Sequence, residues 1–252
     1  ALDTDRRQCQ SLFDTRVDGI GVVRVPYLNG GLFERDALDE RRLAFPADYF
    51  RDLLSMLSQY NFTIDENDPN DAEVGIDPEM LGRIFENLLE DNKDKGAFYT
   101  PKEIVRYMCA ESLIAYLQSD REDEEEREAI RDFVESHDGT SLGDLTEEIG
   151  ELLLRVRICD PAIGSGAFPM GLLRELYFCR SALDPATTQD PAATKREILQ
   201  NNIYGVDLER GAVDIARLRF WLTLVVDEKT PEALPNLDFK IMQGDSLLEE
   251  YA

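Results

Sequence analysis

ICDPAIGSGAFPMG, from Ile158 to Gly171, places three glycines within eight residues, directly behind an apolar segment that ends in an acid. A glycine-rich turn between a strand and a helix is a common place for a cofactor to press against backbone. LLLRVRICD, from Leu152 to Asp160, is apolar and carries β-branched residues, so it predicts a strand. GLLRELYFCRSAL, beginning at Gly171, has helical spacing. The same alternation recurs downstream. NIYGVDLE (from Asn202) predicts a second strand ending in acids, GAVDIARLRFWLTLVV (from Gly211) a long helix, and FKIMQGDSL (from Phe239) a third strand with Asp245 at its carboxyl end. Strands alternating with helices imply a parallel sheet, and such sheets take ligands at the carboxyl ends of their strands. Asp160, Asp207 and Asp245 all fall there.

The turn excludes two phosphate cofactors. A nucleoside-triphosphate loop needs a Gly-Lys followed by Ser or Thr, and none follows here. A dinucleotide fingerprint counted from Gly164 and Gly166 meets Pro169 where its third glycine belongs. A cofactor with a charged amino-acid end, a nucleoside end and no phosphate fits better, which describes S-adenosylmethionine. Ala162, Gly164 and Gly166 would let backbone approach its methionine portion, and Asp160 would offer a carboxylate to its ammonium group. Asp207 suits the two ribose hydroxyls and Asp245 the adenine amino group, with the backbone at Ser246 beside the ring. Taken singly, Asp207 or Asp245 reads equally well as a helix cap; their order on successive strand ends favours the pocket.

Upstream, residues 1–75 read as a mostly helical connector region with turn signals at Asn29-Gly30-Gly31, a helical patch in ADYFRDLLSMLSQY, and a polar stretch from Asp65 to Glu73. Residues 76–154 read as a helical segment. In it, DPEMLGRIFENLLE starts at an Asp77 cap, and KEIVRYMCAESLIAYL is entered through a Thr100 cap and Pro101, with Glu103 placed for a capping box. The acidic run SDREDEEEREAIRDFVES predicts a solvated helix face. Residues 155–252 hold the strand-and-helix alternation, interrupted by a polar insert from Asp184 to Arg196.

CDPAIGSGAF, YGVDLE and QGDSLL resemble motifs I, II and III of DNA adenine-N6 methyltransferases, and GAFYTPKEIVRYM resembles their motif X. VPYLNGGLFE and DPEMLGRIFENLLE are similar to segments of type II (IIG-like) restriction-modification enzymes and of phage-defence methyltransferases. The resemblance covers roughly Pro26 to Leu248. It implies an α/β fold, a Rossmann-like S-adenosylmethionine-dependent methyltransferase domain with a partial parallel sheet and a helical N-terminal extension. Residues 155–252 would be the N-terminal half of that domain. The resemblance carries cofactor binding onto Ala97, Phe98, Tyr99, Thr100 and Pro101 as motif X, onto Asp160, Pro161, Ala162 and Gly164 as motif I, onto Asp207 as motif II, and onto Asp245 and Ser246 as motif III.

One departure is sharp. The family's catalytic motif IV, [DNS]-P-P-[YFW], holds the flipped-out adenine, and none of the eleven prolines of this chain has a proline neighbour. No catalytic residue is therefore assigned. The chain is expected to be the donor-binding part of a longer enzyme, by itself inactive and weak or silent toward the cofactor, with DNA contacted through other parts. No nuclease centre is legible, since DEK at Asp227–Lys229 reads as a helix end. A methyltransferase of protein or small molecules, and a non-catalytic interaction module or acidic DNA mimic, are the alternatives.

Charge bears on the same point. There are 52 acids against 27 bases, a formal net charge of −25, which repels nucleic acid instead of attracting it. Only six of the bases are lysines. Acids spread along the whole chain predict a solvating surface of the salt-adapted kind. Cys9, Cys109, Cys159 and Cys179 form no CxxC pair, and the lone His137 does not complete a zinc set, so reduced structural thiols and no metal are expected. The chain has no long apolar run and no signal-peptide pattern, so a cytoplasmic protein with no membrane contact is expected.

Overall fold

A computed structural model describes residues 11–17, 21–26, 46–57, 100–227, 237 and 239–248. The segments expected at Asn29–Gly31, at Asp65–Glu73, at Asp77–Glu90 and at Ala97–Tyr99 lie outside the described residues.

Two strands, β1 (Ser11–Val17) and β2 (Gly21–Pro26), pair antiparallel, with Val17 opposite Gly21 and Arg16 opposite Val22. In the front section, which the sequence reads as mostly helical, the described residues include this strand pair. Val22, Val23 and Val25 are β-branched and favour extended backbone, and the Asp18-Gly19 pair between the runs is a hairpin signal in the sequence. Helix α1 (Ala47–Leu57) forms where the helical patch predicts it.

Between Lys102 and Asp227 the chain packs helices around a small sheet. Helix α2 (Lys102–Leu117) buries Val105, Cys109, Leu113, Ile114 and Leu117 along one stripe. Its N-cap is Pro101 in extended backbone, and no side chain caps it, so the expected Thr100 capping box is not formed; the helix begins one residue later than the sequence suggests. Helix α3 (Glu124–Ser136) is the acidic run. Asp123 caps it by accepting from the Glu125 amide, and three glutamates in its first turn complement the helix dipole while Ile130, Phe133 and Val134 turn inward.

Helix α4 (Thr146–Arg155) takes up Leu152–Arg155, which the sequence assigns to a strand. An apolar run this short does not distinguish helix from strand. Here Ile149 and Leu153, four apart and fully buried, continue a helical stripe, and Arg155 sits in the last turn. Strand β3 is thereby confined to Ile158–Asp160. Helix α5 (Ala167–Leu183) follows the glycine turn. A short 3-10 turn (Pro185–Gln189) and helix α6 (Pro191–Asn201), capped by Asp190 with Pro191 at its first position, account for the polar insert. Strand β4 (Ile203–Asp207), helix α7 (Arg210–Asp227) and strand β5 (Ile241–Gln243) complete the alternation.

The sheet is parallel, in the order β3-β4-β5, with Asp160 opposite Gly205 and Asp207 opposite Gln243. The fold class is thus α/β with a small three-stranded parallel sheet and many helices. Side chains alternate across the sheet. Ile203, Gly205 and Ile241 are buried on the face that meets α5, α6 and α7, whereas Cys159 and Met242 on the other face are exposed. The core joins Leu113, Phe133, Leu153, Leu176, Ile198 and Phe220 from the helices with Ile203 and Ile241 of the sheet.

Cys109 and Cys179 are free and buried; burial, with a contribution from the Glu175 charge, raises both thiols, that of Cys109 to about 12. Among the described residues no group of His, Cys, Asp and Glu is arranged to hold a metal ion, and no helix is long and apolar enough to cross a membrane.

Candidate functional site

The carboxyl ends of the three strands and the turn from Pro161 to Gly166 make one hydrogen-bonded unit. Gly164 and Gly166 have left-handed backbone, with φ of 53° and 87°, which side chains other than glycine rarely adopt. The turn closes on itself through the Gly166 amide, which donates to the Ile163 carbonyl at 2.9 Å. It is fastened to β4 by the Ile163 amide, which donates to Val206 at 3.0 Å. Gly166 then caps α5 without a side-chain bond. A Cβ on Gly166 would stand 3.2 Å from the Ala216 Cβ, so α7 packs directly on this residue. At Gly164, by contrast, no atom lies within 4 Å of where a Cβ would be, and the backbone faces open space.

Asp160 and Asp207 end their strands, as the sequence predicts, whereas Asp245 lies beyond the end of β5. Asp160 ends β3, and its Oδ1 accepts from the Ala162 amide at 3.0 Å. Burial pushes its carboxyl above the usual aspartate range; the Ala162 bond pulls the other way, and the Asp207 charge adds to the rise. Asp207 ends β4 and divides its oxygens: Oδ2 accepts from the Gly164 amide at 2.8 Å, and Oδ1 from the Glu209 amide at 2.9 Å. A carboxylate oxygen has two acceptor sites, so each keeps one for a ligand. Asp245 lies two residues beyond β5 on the exposed side, its Oδ1 accepting from the Leu247 amide at 2.9 Å.

The three strand ends are also tied to one another. Ser246 donates its hydroxyl to the Pro161 carbonyl at 2.9 Å, across 85 residues of chain. The Gly244 amide donates to the Asp207 carbonyl at 2.9 Å, and Gln243 Nε2 to the Leu208 carbonyl at 2.9 Å. Asp160, Pro161, Ala162, Gly164, Gly166, Asp207 and Ser246 therefore stand together, with Asp245 beside Ser246. The carboxylates take their hydrogen bonds from backbone amides, which leaves a rim that is anionic overall and suited to a cationic or hydroxyl-bearing ligand.

The link to the segment before α2 is less direct. Thr100 is half-buried and Pro101 exposed at the start of α2. That helix docks on the first turns of α5, where a Cβ at Gly171 would fall 2.8 Å from Cys109 Sγ and 2.9 Å from Val105 Cγ1, and where the Cys109 thiol donates to the Phe168 carbonyl at 3.5 Å. Thr100 and Pro101 make no described bond to the acids. Ala97, Phe98 and Tyr99 lie outside the described residues.

Two arginines that sequence reasoning passed over hold the unit from behind. Arg217 on α7 donates from Nε and Nη2 to the Ile241 carbonyl of β5, at 3.1 and 2.6 Å. Arg219, 4% exposed, donates from Nη1 to the Ser165 carbonyl of the glycine turn at 2.8 Å. The available signal was the Arg-Leu-Arg run directly before the apolar stretch from Phe220, where a charged residue on a packed face calls for a fixed partner.

The chain matches no family model. It is similar to a protein of Methanocaldococcus jannaschii whose assigned name is that of a type II restriction enzyme and methyltransferase, at 28% identity over 254 aligned residues. The similarity takes in 89% of this chain but 21% of that protein, so the chain spans about a fifth of the length of its relative.

Proposed function

We propose that the chain is the methyl-donor-binding portion of a site-specific DNA adenine-N6 methyltransferase of a restriction-modification system, with a Rossmann-like donor domain whose first strands are β3, β4 and β5. The observation that carries it is the convergence of Asp160, the Gly164–Gly166 turn, Asp207 and Ser246 at one edge of a parallel sheet, in the order that motifs I to III would require. The relative's name and the breadth of the similarity favour restriction-modification over a protein or small-molecule methyltransferase.

S-adenosylmethionine, when bound, supplies a methyl group activated on a sulfonium. The open backbone at Gly164 would admit its methionine part, and Asp160 would pair with its ammonium group. The free acceptor sites of Asp207 would take the ribose hydroxyls, and Asp245 with the Ser246 backbone would face the adenine. Thr100 and Pro101, with Ala97, Phe98 and Tyr99 before them, would close the carboxylate end. The anionic rim discriminates against phosphate ligands and favours a donor with net positive charge. DNA would be met by other parts of the full-length protein, which agrees with the acidity of this chain.

The test is calorimetric binding of S-adenosylmethionine to the full-length protein, together with transfer of labelled methyl groups to adenine in DNA. Asp207→Ala is expected to weaken donor binding by about 1–3 kcal/mol, the usual cost of losing a charged hydrogen-bond acceptor. Unchanged affinity overturns the assignment of Asp207, and label recovered on cytosine or on protein overturns the substrate.

A further inference from the structure

We infer, on the premise of the methyl-donor pocket proposed above, that Arg219 is a positioning residue for the methionine end of the donor, acting through the carbonyl of Ser165. Ser165 stands between the two left-handed glycines, so the orientation of its peptide decides which way the turn presents its backbone. Three contacts fix that turn, one from β4 and two from α7. Asp207 on β4 holds the Gly164 amide, Arg219 on α7 holds the Ser165 carbonyl, and Ala216 on α7 abuts Gly166. Ala216 and Arg219 are three apart and so lie on one face of α7, which makes that face a template for the turn.

A guanidinium buried to this extent loses most of its hydration, and an apolar side chain of similar volume would fill the space without that loss. Packing alone therefore does not account for an arginine here. A rigid donor to the Ser165 carbonyl does, because it turns that carbonyl toward α7 and leaves the Gly164 side of the turn clear. The adenine end of the donor is assigned to Asp245, away from the turn, and Asp207 is held independently by the Glu209 amide, so losing Arg219 should act chiefly on the methionine end.

The experiment compares full-length wild-type protein with Arg219→Met, Arg219→Lys and, as a buried-arginine control elsewhere, Arg180→Met; Arg180 is 8% exposed and pairs with Glu197 at 3.1 Å. Dissociation constants are measured for S-adenosylmethionine and for adenosine, together with melting temperature and amide hydrogen exchange at residues 163–167 without ligand. Arg219→Met is expected to weaken S-adenosylmethionine by about tenfold or more while adenosine stays within about twofold, and to speed exchange at 163–167. Arg219→Lys should restore part of both effects, and Arg180→Met should lower the melting temperature without separating the two ligands. Equal loss of both ligands, loss of neither, or unchanged exchange in Arg219→Met overturns the inference while the pocket stands. A wild-type protein that binds neither ligand overturns the pocket, and the inference with it.

Discussion

Asp160 is held in two opposed ways. Its burial disfavours the charged carboxylate, yet the role proposed for it needs that charge, to pair with an ammonium group. The sign of the consequence follows from linkage. A carboxyl whose folded pKa lies above its unfolded value binds its proton more tightly in the folded state, so its ionisation costs stability at neutral pH, and that cost disappears as the pH falls through the raised pKa. Asp160→Asn, which keeps an acceptor for the Ala162 amide, is therefore expected to melt at a higher temperature than the wild type at pH 7, and the difference should close in acid. Donor binding should move the other way: about tenfold or more weaker in Asp160→Asn, as for loss of a charged partner, and weaker in the wild type as the pH is lowered through the raised pKa. A melting-temperature series across pH with parallel calorimetry reads both. A variant that is less stable at pH 7, or whose donor affinity keeps the wild-type pH dependence, contradicts this account of Asp160.

The packing of α2 on α5 has a comparable weak point at Gly171, where the absence of a side chain lets Cys109 and Val105 come close. Gly171→Val would drive methyl groups into Cys109 and Val105, and overpacking of this kind costs about 1–3 kcal/mol. Urea denaturation should show that loss, and donor affinity should fall with it if the segment before α2 serves the carboxylate end; a variant as stable as the wild type would mean that the interface relaxes freely. The elements themselves were unevenly legible. The β3-to-β5 alternation could be read because β3 and β4 end at an acid and β5 is followed within two residues by Asp245, and parallel order followed from the intervening helices. The β1–β2 hairpin was missed because its strands mix charges with valines and leave no clean alternation. Leu152–Arg155 was misassigned because three leucines satisfy either period until the buried Ile149 one turn earlier is known. Arg219 was illegible as an anchor for another reason: its partner lies 54 residues away, and only the fold brings the Ser165 carbonyl to it.

At the scale of the whole molecule, a net charge of −25 sets a limit on stability that no single contact removes. Two arginines each serve two acids. Arg121, 9% exposed, meets Glu126 at 2.7 Å and Glu148 at 2.8 Å, joining α3 to α4, while Arg131 meets Glu111 at 2.7 Å and Glu135 at 3.1 Å, joining α3 to α2. Arginine suits such service because its planar fork offers several donors at once, where lysine offers a single point charge. Even so, 52 acids outnumber 27 bases, and the repulsion among the excess favours the expanded chain. Salt relieves repulsion by screening, and the screening length falls from about 10 Å at 0.1 M to about 3 Å at 1 M. If screening were the whole effect, the melting temperature would rise over that range and then level off, because the screening length is by then shorter than the spacing between neighbouring charges. A surface that depends on bound water and counterions gains beyond that point. The expectation here is a melting temperature that climbs steeply up to about 1 M KCl and continues to climb above it. A plateau near 1 M would reduce the acidity to simple self-repulsion, and a melting temperature indifferent to molar salt would sink the salt-adapted surface altogether.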